Sequence, residues 1–200
     1  MRLGGKSLIL LLSIAAAPAA DKNVPFRPGP PSSCPHHQTV SELSIGAEVY
    51  ADREKTKAAF GKFDPARYGI LPILVVMQND SGKALRLDHM RVEYIRPDRR
   101  SIDPIPPEDI PRLRGAKKPR MGPAPFPSPI PGIRRKPKNP LAAAEIQERA
   151  FAARMLPPHD SAYGFFYFQS ANHEGATLYI TGITEAATGQ ELFYFEIPLN

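Results

Sequence analysis

Half of the prolines in this chain crowd into one stretch, and that placement limits the fold more than any other feature. Of 24 prolines in 200 residues, 12 lie between Asp103 and Pro140. Proline has no backbone N–H and a fixed φ, so this stretch builds neither a long helix nor an interior strand. Regular structure must come from the residues on either side, and those two blocks must meet around one interior.

Both blocks carry the period-two pattern of β-strands. In the first, Leu43, Ile45, Ala47 and Val49 alternate with Ser44, Gly46 and Glu48. The run Ile70 to Gln78 is apolar at odd and even positions alike, as a strand covered on both faces requires, with Pro72 expected near its start. Asn79, Asp80, Ser81 and Gly82 supply turn chemistry. Strand character resumes at Leu85 and Leu87, then continues at Met90, Val92 and Tyr94 with the opposite parity, which predicts a break near Asp88 and His89. In the second block, 162–169, 176–184 and 191–198 are aromatic and β-branched, with Thr188 and Gly189 at the last hairpin. The rings of Tyr163, Phe165, Phe166, Tyr167 and Phe168 make the first of these the expected centre of the core.

Two helices are predicted. Asp52 is placed to cap one over 52–60, which Gly61 stops. Asn139 and Pro140 start a second over 140–154, with Ile146, Ala150 and Ala153 on its packed face. The expected fold is mainly β: an antiparallel β-sandwich of about seven strands over 41–200, interrupted by a Pro-rich basic insertion at 99–140 and the helix at 140–154.

The segments GILPILVVMQNDSGKALRL (Gly69 to Leu87), LPPHDSAYGFFYF (Leu156 to Phe168) and TEAATGQELFYFEIPL (Thr184 to Leu199) resemble those of uncharacterised exported bacterial proteins with an immunoglobulin-like domain. The resemblance implies an immunoglobulin-like sandwich and an exported protein. It carries no catalytic signature and no site residue.

The N-terminus agrees with export. Arg2 and Lys6 precede an apolar stretch from Leu8 to Ala17, and Ala17, Pro18 and Ala19 fit a signal-peptidase site, so 1–19 reads as a signal peptide. The stretch is too short for a bilayer-spanning helix, and no later segment comes closer, so no transmembrane segment is expected once the signal is removed. Residues 20–40 read as a disordered linker, rich in proline and polar side chains. The expected location is periplasmic or extracellular. Cys34 is the only cysteine, which rules out an internal disulfide and predicts a free thiol in that linker.

Charge is unevenly distributed. Nine basic residues against three acidic ones give Asp103–Pro140 a net +6, within a chain whose total is +6. Lys117, Lys118 and Arg120 lie before an apolar, proline-punctuated stretch carrying Phe126 and Ile130, and Arg134, Arg135, Lys136 and Lys138 lie after it. These residues are the candidate contact set for a membrane or polyanion, since cations meet headgroup phosphates while an apolar tip inserts between them. The opposing reading is a solvated loop whose apolar side chains rest on the sandwich.

Other chemistry finds little footing. Cys34, His36 and His37 include zinc-ligating types but lack a nearby fourth ligand, so no metal site is assigned. Asp88–His89 and His159–Asp160 are sequence neighbours, which would point apart in a strand. No nucleophile elbow, zinc helix or dinucleotide turn occurs, no cofactor is expected, and one aromatic in the basic stretch is too few for a single-strand nucleic-acid reader. The expectation is a non-catalytic interaction or structural module of the bacterial cell envelope, its partner an envelope protein or an anionic surface. A peripheral membrane or polyanion binder acting through the basic loop, and an enzyme with a scattered site, are the alternatives.

Overall fold

The computed structural model describes residues 26–113, 139–170 and 172–199. Among them are eleven strands in three antiparallel sheets, and the seven strands of five or more residues match the number expected. The chain is mainly β, consistent with a β-sandwich.

The first sheet contains β1 (His36–Val40), β2 (Leu43–Val49), β3 (Leu71–Asn79) and β8 (Ser161–Phe168), in the order β1-β2-β3-β8. The second contains β5 (Arg91–Ile95), β6 (Ser101–Ile102), β9 (Ala176–Thr181) and β11 (Phe195–Leu199), in the order β11-β9-β5-β6. A small third sheet joins β4 (Leu85–Arg86), β7 (Met155–Leu156) and β10 (Thr184–Glu185), in the order β10-β4-β7. The parity change near Asp88 is a tight turn in which Met90 N donates to Leu87 O at 3.1 Å, and it transfers the chain from the small sheet to the second one.

The main core fills the space between the two larger sheets. Leu71, Ile73, Val75 and Met77 of β3 and Phe168 of β8 meet Val92 and Tyr94 of β5, Leu178 and Ile180 of β9, and Phe195 and Ile197 of β11. Each such side chain taken from water stabilises the fold by about 1.5–3 kcal/mol. The other face of the first sheet is covered as well. There Leu74, Val76, Phe165 and Tyr167 pack under Phe60 of α1 (Arg53–Phe60), under Ile110, and under Leu141 and Ile146. This second apolar layer explains why β3 is apolar at every position from Leu71 to Met77.

Three expectations change at the level of elements. Residues 36–40, read as linker, form β1, paired to β2 through a two-residue turn with φ of +48° at Ser41 and +64° at Glu42. The primed turn geometry matches strand twist, but Ser and Glu are not the glycine or asparagine that usually signal it, and the edge strand HHQTV has no apolar alternation to read. The second helix, expected over 140–154, is a 3-10 turn at Pro140–Ala142 followed by α2 (Ala144–Glu148) only. Helix propensity yields there to the free edge of β8: Phe165 N donates to Arg149 O at 2.8 Å and Phe151 N to Phe165 O at 3.1 Å. β8, expected at the centre of the core, lies at the end of its sheet, while β2 and β3 lie inside it.

The first helix forms as read. Asp52 Oδ1 accepts from Glu54 N at 2.8 Å and Lys55 N at 3.1 Å, and Gly61 ends the helix at φ +62°. Among the described residues no helix is long and apolar enough to cross a membrane.

Candidate functional site

The ends of the basic insertion are fixed to the outer face of the first sheet. On the way in, Ile105 N donates to Tyr167 O at 2.7 Å and Ile110 is fully buried. On the way out, Leu141 and Ile146 are buried, and Tyr167 Oη donates to Ile146 O at 2.8 Å. Asn139 ties the two ends together: its Nδ2 donates to Pro111 O at 2.8 Å while its Oδ1 accepts from Leu141 N at 3.0 Å. Arg112 is neutralised locally by Asp109, Nη1 to Oδ1 at 2.6 Å.

Residues 114–138 run between those clamped ends. They hold eight lysines and arginines and no carboxylate. Lys117, Lys118, Arg120, Phe126, Ile130, Arg134, Arg135, Lys136 and Lys138 all fall there, outside the described residues, as does the signal peptide expected at 1–19.

The described surface carries two open grooves. One, of about 500 Å³, lies between Leu87, Asp88 and Met90 and the extended segment Phe151, Ala152, Ala153 and Arg154. Its floor is the stacked pair Phe151 and Phe166, centroids 5.2 Å apart. The other, of about 410 Å³, lies between the proline-rich strap 27–31 and Val76, Gln78, Ser161 and Tyr163 of the first sheet. Neither of these two grooves gathers a histidine with a carboxylate or a tyrosine hydroxyl.

The strap is a feature that sequence reasoning missed. Phe26 packs on Tyr50, Phe165 and the Arg149 guanidinium, at 6.0, 5.5 and 5.1 Å from its ring. Further along, Pro31 O and Cys34 Sγ lie 2.6 and 2.8 Å from where a Cβ on Gly46 would stand, so the strap rests on bare β2 backbone. Aromatic and proline residues next to a glycine-bearing strand were the only signal for it.

Cys34 is thereby buried rather than loose, and burial, with a smaller effect from Glu48, pushes its thiol up to about 11. His36 and His37 alternate on β1 and present opposite faces. Among the described residues no three His, Cys, Asp or Glu side chains gather where they could share a metal ion. Asp88 and His89 do approach, Oδ2 to Nε2 at 3.6 Å, because they sit in a turn where strand alternation does not apply. Asp88 is already engaged by Arg86 at 2.7 Å, and that hydrogen bond holds its carboxyl below the usual range. Asp160 Oδ1 accepts from Ser161 N at 2.7 Å, which fixes it to the start of β8.

Comparison with protein-family models, with curated proteins and with solved structures gave no match for this chain.

Proposed function

We propose that this protein is a non-catalytic interaction module of the bacterial cell envelope, exported to the periplasm or beyond, which displays residues 114–138 from a rigid β platform. The observation that carries the reading is the Asn139–Pro111 clamp, which closes the base of a segment bearing eight cations and no carboxylate. Both ends are held by buried side chains, so a contact made by the segment is transmitted to the sandwich. Loops held on rigid scaffolds are where proteins most often place their contacts.

The same charge set favours an anionic surface as the partner, since each lysine or arginine near such a surface contributes about 1 kcal/mol. Cosedimentation with vesicles of mixed neutral and anionic lipid, and with cell-wall fragments, tests both statements. The protein should pellet, and a form with 114–138 replaced by a short Gly-Ser linker should not. Pelleting should fade as salt is raised well above the physiological level, because the screening length shrinks below about 8 Å. Equal pelleting of the two forms would remove the segment from its role.

A further inference from the structure

The groove beside the strap lies on a part of the first sheet that the second apolar layer leaves open. Strand register places Thr39, Ser44, Gln78 and Ser161 in one row across β1, β2, β3 and β8, all on that outer face. The neighbouring row holds Gly46, Val76 and Tyr163. Gly46 is covered by the strap, Val76 is buried and lines the groove, and Tyr163 is 47% exposed. Its hydroxyl donates to Phe26 O at 3.2 Å, so the ring is held against the strap with part of its surface open to the groove. Pro28, Pro30 and Pro31 stiffen the strap, and Arg27 stands exposed at its end without an ion pair among the described residues.

We propose that this groove binds an acidic saccharide. A sugar ring has an apolar C–H face that packs on an aromatic ring, which Tyr163 offers, and hydroxyls that need side chains able to donate and accept. Gln78 and Ser161 supply these; Gln78 Nε2 is committed to Asp80 Oδ1 at 2.8 Å, leaving its Oε1 to accept. A carboxylate on the ring pairs with Arg27 in a charge-assisted bond. A wholly apolar ligand would strand those polar groups, at a cost comparable to its gain from burial. A peptide cannot add a strand within the floor of the groove, because the backbone of β3 there is already paired to β2 and β8. The volume, about 410 Å³, lies within the range of ligand clefts, about 300–1,000 Å³.

The test is calorimetric titration of the protein with trigalacturonate and with neutral galactotriose. The acidic sugar should bind about tenfold more tightly, the effect of one charge-assisted pair. Arg27→Gln should bring it down to the neutral level, Tyr163→Ala should lose both sugars, and Tyr163→Phe should keep both, with thermal unfolding showing each variant folded. The form lacking 114–138 should bind like the unaltered protein, which separates this site from the contact segment. No binding of either sugar, or trigalacturonate binding that survives Arg27→Gln and Tyr163→Ala but vanishes with the segment, would overturn the assignment.

Discussion

Asn79 Nδ2 donates to the carbonyl of Pro157 at 2.9 Å, joining two points 78 residues apart. The same amide nitrogen donates to Lys83 O at 2.7 Å, and Asn79 Oδ1 accepts from Ser81 N at 3.2 Å and Ser81 Oγ at 2.6 Å. Asn79 is fully buried, so the residue that looks like turn chemistry in sequence is the hub that fixes the β3–β4 turn to the segment entering β8. Asn79→Leu fills the volume but leaves several buried partners unpaired, each at about 1–3 kcal/mol, and should lower stability by about 3 kcal/mol or more. Urea denaturation followed by circular dichroism measures it. Asn79→Asp should be no better, since it loses the donors and buries a charge.

Gly164 of β8 faces the backbone of Phe151, whose N lies 2.6 Å from the place of an added Cβ. Gly164→Ala therefore pushes the 149–151 segment off the sheet edge and should cost about 2 kcal/mol, within the range for overpacked sites. Gly189→Ala is the contrasting case: nothing lies near, but φ is +72°, so the cost should be the left-handed penalty of about 1–2 kcal/mol with no repacking. Hydrogen exchange at Phe165 N, which donates to Arg149 O, should accelerate in the first variant and stay unchanged in the second.

Cys34 makes stability depend on alkaline pH. Its thiol is raised from an ordinary value of 9.0 to about 11. Below about pH 9 both folded and unfolded chains hold the proton; between there and about 11 only the folded chain does, so stability falls as pH rises. Tyr50 adds to the fall from about pH 10, its hydroxyl being raised by burial to about 12. In Cys34→Ala the decline should start later, near the tyrosine range, as read from the urea midpoint at successive pH values. A thiol reagent at neutral pH should label Cys34 slowly in the folded protein and fast in denaturant.

Phe26 holds the strap. Phe26→Ala removes the contacts with Tyr50, Phe165 and Arg149, and should cost about 2 kcal/mol, less than a fully enclosed phenylalanine because the site is half-buried. A thiol reagent should then label Cys34, which the same strap covers, faster than in the unaltered protein. Arg149→Met should be tolerated, since Nη1 of this arginine is enclosed without a hydrogen-bond partner among the described residues and a thioether keeps the packing.

Where packing follows a repeating apolar pattern, the sequence is legible. β2, β3, β5, β8 and β9 stand within a few residues of their expected places, and Asp52 and Gly61 bound the first helix by local hydrogen bonding and backbone freedom that act over a few residues. What escaped depends on partners distant in the chain. β1 is a strand because β2 offers an edge, α2 stops early because β8 needs a neighbour, and Cys34 is buried because Gly46 leaves room above it. The strap groove escaped for the same reason, since Arg27, Gln78 and Tyr163 meet only after β3 and β8 pair. The cationic segment is evident from composition alone, which identifies its charge but supplies no tertiary partner for it.

The outermost strands of the two large sheets run close to each other on one side of the sandwich, where Gln38 Oε1 of β1 accepts from Glu196 N of β11 at 2.8 Å and Pro198 offers no N–H at all. A strand arriving from a neighbouring molecule finds one amide occupied and another missing. At this edge, a chain without an internal disulfide to lock it is guarded against being drawn into fibrils by strand exchange.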